Sequence, residues 1–163
     1  MTSKKILNGK KILVVDDEPD VLESLIELLD MCRLDTASSF EEAKQLLEDQ
    51  YYDIAILDIM GVKGFELLKI ANDHKIPALM LTAHALSEES LKKSAEEGAA
   101  YFVPKDKMAE IDVFVADVLT ALKNKKNPWE KMFYRLGEFY DRRFHGTNWR
   151  EQEKKFWNDK ILY

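Results

Sequence analysis

The sequence predicts an α/β fold, in which helices cover both faces of a five-stranded parallel sheet and a short helical tail follows. Short apolar runs alternate with amphipathic helical segments five times along the chain, which is the pattern of parallel strands joined by right-handed crossovers. The strongest of these runs are apolar throughout, as expected of strands buried on both faces. The composition then changes near residue 124, where we expect the tail to begin.

The first element is a buried strand that ends in two adjacent carboxylates. Residues 12–15 are all apolar, and Asp16 and Asp17 follow them directly. Neighbouring carboxylates repel each other, and burying them costs free energy unless a cation or hydrogen-bond donors lie nearby. The pair is therefore either solvated in a turn or placed to bind a positive group. Pro19 suits the first turn of a helix, and the apolar stripe of that helix comprises Val21, Leu22, Leu25, Ile26, Leu28 and Leu29.

The remaining elements continue the alternation of strand and helix. A weakly marked second strand is expected at residues 34–37, and the SFEE capping box at 39–42 begins the next helix. Gly61 and Gly64 mark a tight loop before the third helix. Three further strands are predicted at residues 53–57, 76–81 and 101–103. Ser87 can cap the fourth helix, Gly98 ends it, and residues 111–122 form a fifth, amphipathic helix.

Polar residues follow the strong strands at the point where each strand ends. Asp16 and Asp17 follow the first strand, Asp58 the third, Thr82 the fourth and Lys105 the fifth. The carboxyl ends of parallel strands meet at one edge of a sheet, where ligands of such folds bind. We therefore expect these side chains to lie together.

This set of residues suits the chemistry of phosphoryl transfer. Three carboxylates form an oxygen-rich site for Mg²⁺, which would offset the repulsion between Asp16 and Asp17. A lysine and a hydroxyl group add donors for an anionic group held beside the metal. A carboxylate can itself be the nucleophile, and Asp58 is the best candidate because it stands alone on its strand.

Four segments then resemble the receiver domain of response regulators in two-component signalling. ILVVDDEPD, AILDIM, LMLTAHA and YFVPK occur in the order and approximate spacing of that family, and the resemblance covers roughly residues 10–123. It implies a doubly wound, flavodoxin-like (βα)₅ sheet with the strand order 2-1-3-4-5. Each segment alone is weak evidence, whereas all of them in order are strong evidence.

The resemblance also implies a metal site and a phosphoacceptor. Asp58 is similar to the family's phosphoacceptor aspartate, and Asp16 and Asp17 resemble its acidic pair for Mg²⁺. The backbone carbonyl of Met60, two residues after Asp58, would be a further metal ligand.

Further positions match the part of the family's site that binds the phosphoryl group. Thr82 resembles the hydroxyl residue that binds the phosphoryl oxygens, and Lys105 the lysine that pairs with them. Phe102 occupies the position of an aromatic switch residue, and we also expect it in the core. Ala83 and His84 would line the rim of the site.

Two departures from the family pattern concern the loops of the site. The loop after Asp58 lacks the usual Met-Pro, and Gly64 comes about two residues early. The family usually has proline directly after the lysine, whereas here Pro104 precedes Lys105 and Asp106 follows it.

The resemblance predicts a signalling domain and not an enzyme, with phosphorylation and dephosphorylation of its own Asp58 as its only chemistry. The donor would be a histidine kinase or a phosphotransfer protein, and the output partner is unknown. Two alternatives remain open. One is a docking module that acts without phosphorylation. The other is a small aspartate-nucleophile phosphatase, although such enzymes have Asp-x-Asp after the first strand and a substrate-specificity insert, which this chain lacks.

Other features exclude several classes of protein and predict a cytoplasmic location. No apolar run approaches the roughly 20 residues of a membrane span, and the first residues lack the apolar core of a signal peptide. Cys32 is the only cysteine, so no intramolecular disulfide can form. The chain has no glycine-rich phosphate loop, and its three histidines lack zinc spacing.

The C-terminal part, residues 124–163, differs in charge and composition from residues 1–123, which we take as the receiver domain. It carries a net charge of +4 and ten of the seventeen aromatic residues. Large apolar side chains recur at helical spacing in Trp129, Met132, Phe133, Leu136, Phe139, Tyr140 and Phe144. This face is expected to pack back on the receiver domain or on the tail itself. A homodimer or partner interface, through the tail or the last helices, is the main alternative. Nucleic-acid binding is not expected because acidic residues interrupt the basic ones, and association with a membrane surface is the remaining alternative.

Overall fold

The computed structural model describes residues 2–83, 86–145 and 148–162. Its strands are β1 (Lys11–Val15), β2 (Arg33–Ala37), β3 (Ile54–Asp58), β4 (Ala78–Thr82) and β5 (Tyr101–Pro104). Helices α1 (Ser3–Leu7), α2 (Pro19–Leu28), α3 (Phe40–Asp49), α4 (Gly64–Asp73) and α5 (Glu88–Glu96) lie between or before the strands. A 3₁₀ helix (Lys105–Glu110), α6 (Ile111–Lys123), α7 (Pro128–Arg143), α8 (Trp149–Gln152) and α9 (Lys154–Leu162) follow β5.

The sheet confirms both the predicted fold class and the predicted strand order. All neighbouring strands are parallel, and their order is β2-β1-β3-β4-β5. Val15 pairs in register with Leu57, Asp58 with Leu81, and Thr82 with Pro104. The strands therefore end at nearly the same level, and the residues that follow them meet at one edge.

The core lies on both faces of the central strands. Every residue of β3 and β4 is buried, as are the last four residues of β1, in agreement with apolar runs that do not alternate. The helices around them begin at the predicted caps. The hydroxyl of Ser39 accepts a hydrogen bond from the backbone N–H of Glu42, and Ser87 forms a capping box with Ser90.

Helix α1 was not predicted from the sequence, because five residues are too few to show a periodic pattern. The hydroxyl of Thr2 caps it, and the fully buried side chain of Leu7 anchors it in the core. The Ser3 hydroxyl donates a hydrogen bond of 3.0 Å to Asp112 in α6. Tertiary contacts, and not helix propensity, thus hold this short helix in place.

The tail folds back on the sheet, as the first alternative for its aromatic face predicted. Helix α7 packs against α6 and against β5, which is the last strand in the order and has no strand on its outer side. The indole N–H of Trp129 donates to the carbonyl of Ala99 at 2.7 Å, and the Tyr140 hydroxyl donates to the carbonyl of Phe102 at 2.6 Å. The tail therefore covers the outer edge of the sheet, where exposed carbonyls would otherwise invite pairing with another chain.

The end of the tail forms two short helices, α8 and α9, with Glu153 between them in a non-helical conformation. Among the described residues, none of the helices is long and apolar enough to cross a membrane.

Candidate functional site

The structure brings the predicted polar residues together at the carboxyl edge of the sheet. Asp16 directly follows β1, Asp58 and Thr82 are the last residues of β3 and β4, and Lys105 directly follows β5. Asp16, Asp58 and Thr82 are 1%, 5% and 1% exposed. A cluster this polar and this deeply buried has to be balanced by internal partners or by a bound ion.

Lys105 supplies the positive charge of the cluster. Its Nζ atom lies 2.9 Å from Oδ2 of Asp16, 3.2 Å from Oε1 of Glu18 and 3.5 Å from Oδ1 of Asp58. Burial lowers the pKa of Lys105, but the hydrogen bond to Asp16 and the charge of Asp58 outweigh it and raise the pKa above its usual value. The ammonium group therefore stays charged and bridges the ends of three strands.

Three consecutive acidic residues, Asp16, Asp17 and Glu18, line one side of the site. The backbone N–H of Glu18 donates to Oδ1 of Asp16 at 2.9 Å, which holds the turn after β1 closed. Carboxylate oxygens of Asp16, Asp17 and Glu18 lie within 4.8 Å of one another, and Asp17 and Glu18 are exposed. The set supplies the hard oxygen ligands that Mg²⁺ prefers.

Glu18 was not among the residues predicted for the site. The signal for it was the third acidic residue of the run Asp16-Asp17-Glu18. Its role in the site depends on how far the Lys105 side chain reaches, and sequence spacing does not determine that reach.

Asp58 occupies an environment that disfavours a negative charge. Burial, and next the charge of Asp16, raise the pKa of Asp58 to about 7, although the charge of Lys105 and its hydrogen bond act in the opposite direction. Among the described residues, Lys105 thus does not fully balance the carboxylates of the site. An additional cation, or protonation of Asp58, would relieve the imbalance.

The short loop after β3 closes tightly onto the site. Gly61 has φ of +85°, and a Cβ atom there would lie 2.4 Å from Oδ2 of Asp17. A Cβ atom on Gly64 would lie 2.1 Å from the backbone carbonyl oxygen of Asp58. Only glycine fits at either position without moving the loop. The sequence marked both glycines as a tight turn, but it did not reveal how closely the loop approaches Asp17.

The other predicted site residues lie at different depths. Met60 is 53% exposed in the loop after Asp58, and Ala83 is exposed directly after β4. Phe102 is fully buried, in agreement with the expected core position, and its backbone carbonyl accepts the hydrogen bond from Tyr140. His84, which was predicted to line the rim of the site, lies outside the described residues.

The arrangement can bind a phosphoryl group next to a divalent cation. Asp16, Asp17 and Glu18 place negatively charged oxygen atoms after β1, whereas Thr82 at the end of β4 and Lys105 after β5 supply hydrogen-bond donors. Donors fixed in advance around one carboxylate stabilise charge that develops on transferring phosphoryl oxygens.

Most of the chain is similar in sequence to one family of known proteins. Residues 12–116 match the profile of the family described as the response regulator receiver domain. The heme response regulator HssR of Staphylococcus aureus (strain Newman) is 46% identical over 83 residues, which is 47% of this chain and 37% of that protein. The chain thus matches well under half the length of these curated relatives.

Solved structures share the architecture. The receiver domain of Francisella response regulator 1452 has a TM-score of 0.62 at 22% identity, covering 70% of this chain and 99% of that one. A receiver domain protein from Clostridium thermocellum has a TM-score of 0.63 at 25% identity, with 70% and 97% coverage. DrrB of Thermotoga maritima, an OmpR/PhoB homologue, has a TM-score of 0.59 at 27% identity, with 73% and 55% coverage.

Proposed function

The chain belongs to the response regulator receiver domain family, and on this premise we propose that Asp58 accepts a phosphoryl group in a Mg²⁺-dependent reaction. The donor is a phosphohistidine on a histidine kinase or a phosphotransfer protein. The chain then signals by changing a surface that an output partner binds. Apart from the phosphorylation and dephosphorylation of its own Asp58, it catalyses no reaction.

The observation that carries the proposal is the position of Lys105. Its ammonium group lies within 2.9 Å of Asp16 and 3.5 Å of Asp58. Asp58 is nearly buried and lies beside these charged groups at the end of a central strand. Transfer of an anionic group to a carboxylate is helped by a positive charge beside it, and Lys105 supplies that charge between Asp58 and Asp16.

The proposed step forms one bond and breaks one bond. A carboxylate oxygen of Asp58 attacks phosphorus, the new P–O bond forms, and the P–N bond to the donor imidazole breaks, with its electron pair leaving on the nitrogen. Lys105 and Thr82 would then hold the phosphoryl oxygens of the aspartyl-phosphate. The change is transmitted to the surface through β5 and Phe102.

The residues around Asp58 fit a magnesium ion. The carboxylates of Asp16, Asp17 and Asp58 and the backbone carbonyl of Met60 would hold it. When bound, the ion neutralises charge on the phosphoryl oxygens and on the carboxylates. The raised pKa of Asp58 supports this assignment, because among the described residues the positive charge beside the buried carboxylates does not offset their burial and mutual repulsion.

The proposed organisation has two parts. Residues 1–123 form the receiver domain, and residues 124–163 form a helical tail that packs on it. We propose a cytoplasmic location, where a histidine kinase would present its phosphohistidine. The aromatic face of the tail is occupied within the chain, so a homodimer formed through that face would require the tail to leave β5.

Incubation with phosphoramidate tests this function, because its P–N bond matches that of phosphohistidine. We expect Mg²⁺-dependent incorporation of phosphate that hydroxylamine removes, since hydroxylamine cleaves acyl phosphates. The Asp58→Ala variant should incorporate none, whereas Asp17→Ala should need more Mg²⁺. Asp73→Ala, a change at an exposed residue, is the control and should behave as wild type. Incorporation that persists in Asp58→Ala would contradict the proposal.

A further inference from the structure

The tail contacts the receiver domain on β5 and on α6. On β5, the Tyr140 hydroxyl binds the Phe102 carbonyl. On α6, the Arg135 guanidinium forms a two-point ion pair with Asp117, with Nη2 3.1 Å from Oδ1. The tail is therefore held at more than one element.

The ion pair with α6 also involves a residue of β5. Besides the two hydrogen bonds from Arg135, Asp117 accepts one of 2.9 Å from the hydroxyl of Tyr101. Near the end of the tail, Glu153 lies 2.8 Å from Nζ of Lys92 in α5. Movement of β5 relative to its flanking helices would thus disturb contacts of the tail at several positions.

Strand β5 links this covered face to the candidate phosphoacceptor site. Phe102 lies three residues before Lys105, and Pro104 between them pairs in register with Thr82. Lys105 begins the 3₁₀ helix that directly follows the strand. A movement of the Lys105 backbone would therefore be taken up by the end of β5, which is tied to β4 on one side and to the tail on the other.

A phosphoryl group on Asp58 would change the position of Lys105. In the structure its ammonium group is closer to Asp16, at 2.9 Å, than to Asp58, at 3.5 Å. New negative charge on Asp58 would draw the ammonium group from Asp16 towards the phosphoryl oxygens. The docked tail leaves little freedom for the accompanying shift, because the side chains of Phe102 and Tyr140 are both 0% exposed and their ring centroids are 5.8 Å apart.

We propose that docking of the tail on β5 opposes binding of a phosphoryl group at Asp58, with Tyr140 and Phe102 as the contact that couples the two. The inference rests on the proposed function of Asp58. Coupling between two sites is reciprocal, so a phosphoryl group at Asp58 also weakens the docking of the tail. Tyr140 is then a positioning residue that acts on the site through β5.

Fluoroberyllate with Mg²⁺ tests the effect of the docked tail on binding at Asp58, because it binds carboxylates as a mimic of a phosphoryl group. Its affinity for the full chain is measured by ¹⁹F NMR for the wild type and for Tyr140→Phe, which removes only the hydroxyl group. We expect Tyr140→Phe to bind the probe about 5-fold more tightly, at the lower end of typical coupling between sites. Arg135→Gln, which loosens the tail at α6 without touching Phe102, should shift the affinity in the same direction.

The control is Tyr134→Phe, a change on the same helix at a side chain that is 79% exposed. It should leave the affinity for fluoroberyllate unchanged. Unchanged or weaker binding in both Tyr140→Phe and Arg135→Gln would overturn the coupling. If the wild type shows no resonances of bound fluoride, the proposed function of Asp58 is wrong. If the wild type binds the probe but the variants do not differ from it, only the coupling is wrong.

Tryptophan fluorescence of the wild type tests the reverse effect, in which a phosphoryl mimic at Asp58 weakens the docking of the tail. All three tryptophans of the chain, Trp129, Trp149 and Trp157, lie in the tail and are at most 5% exposed. We expect their emission to shift towards the red as fluoroberyllate binds, with the same midpoint as the ¹⁹F signal. Emission that stays constant while the probe binds would show that the tail does not respond, and would overturn the proposal.

Discussion

Asp58 is both the proposed nucleophile and a buried acid whose charge the protein disfavours, and this has a consequence for stability. The pKa of Asp58 is about 7 in the folded chain, against roughly 3.9 for an unperturbed aspartate. As the pH rises, the unfolded chain therefore loses this proton first. The stability that depends on the protonated carboxyl is complete below about pH 4 and is lost progressively up to about pH 7.

The first prediction follows from this loss of stability as the pH rises. Asp58→Asn removes the ionisable group and should raise the free energy of unfolding at pH 8 by about 1–4 kcal/mol, at roughly 1.4 kcal/mol per unit of pKa shift, and much less at pH 5. Urea unfolding without Mg²⁺ at both pH values measures the difference between variant and wild type. A difference that is the same at pH 5 and pH 8 would show that Asp58 is not perturbed as described. Asp73→Asn is the exposed control.

The second prediction concerns the loop that closes onto Asp17. Gly61→Ala places a methyl group where it meets the Asp17 carboxylate, and should weaken Mg²⁺ binding about 10-fold, as is typical when the support of a metal ligand is lost. Gly9→Ala is a matched control, because Gly9 also has positive φ, +76°, but has open space around it. Both variants carry backbone strain, so equal Mg²⁺ affinities in calorimetric titration would contradict a special role for Gly61.

Some residues of the site could be predicted because their positions follow from the strands alone. Asp16, Asp58, Thr82 and Lys105 each end or follow a strand, and the geometry of a parallel sheet brings such positions together. The role of Glu18 could not be predicted in this way, since it depends on the conformation of a long lysine side chain.

At the level of elements, α7 packs against β5 at the outer edge of the sheet. Its side chains bind two backbone carbonyls there, that of Phe102 in β5 and that of Ala99 two residues before the strand. Trp129 and Tyr140, which make these contacts, are 1% and 0% exposed. The helix therefore satisfies backbone groups that would otherwise lie unpaired at the edge of the sheet.

The third prediction tests the Trp129 contact. Trp129→Phe leaves the Ala99 carbonyl without its donor in a buried place and should lower the free energy of unfolding by about 1–3 kcal/mol. Tyr134→Phe on the same helix should change it by less than about 0.5 kcal/mol, as is usual at exposed positions. Chemical denaturation followed by circular dichroism gives both values. Equal stability of Trp129→Phe and wild type would show that α7 is not held by this contact.

The sequence predicted the buried strands because burial requires apolar runs. The strands expected at 53–57 and 76–81 are observed one or two residues later, as β3 and β4. An apolar run shows which residues are buried, whereas the bounds of a strand depend on its backbone hydrogen bonds. The strand order followed from family resemblance, since alternation alone does not fix it. Helices α1 and α8 were missed because helices of five and four residues are held by tertiary contacts.

At the scale of the whole molecule, charge and apolar surface are divided unequally along the chain. The net charge is −6, and residues 124–163 carry +4, so residues 1–123 carry −10. The tail thus covers an apolar edge and also offsets part of the charge of the receiver domain. The sequence predicted that the aromatic face of the tail packs back within the chain, but it did not show that β5 is the element it covers.

The fourth prediction is the effect of removing residues 125–163. The truncation exposes the outer edge of β5 and the surface around Phe102, and exposed edges of this kind promote association. We expect concentration-dependent oligomers in size-exclusion chromatography with light scattering, stronger at high salt, which screens the charge of −10 that the fragment retains. A truncated chain that stays monomeric at every concentration and salt would contradict the covering role of the tail.

The intact mass of the full chain after incubation with acetyl phosphate tests most directly whether Asp58 is a Mg²⁺-dependent phosphoacceptor. The experiment compares samples with Mg²⁺ and with a chelator, for the wild type and for Asp58→Ala. We expect a single phosphoryl adduct in the wild type, which is absent with the chelator and absent in the variant. A folded wild-type chain that gains no adduct with Mg²⁺, or a variant that gains the same adduct, would contradict this role of Asp58.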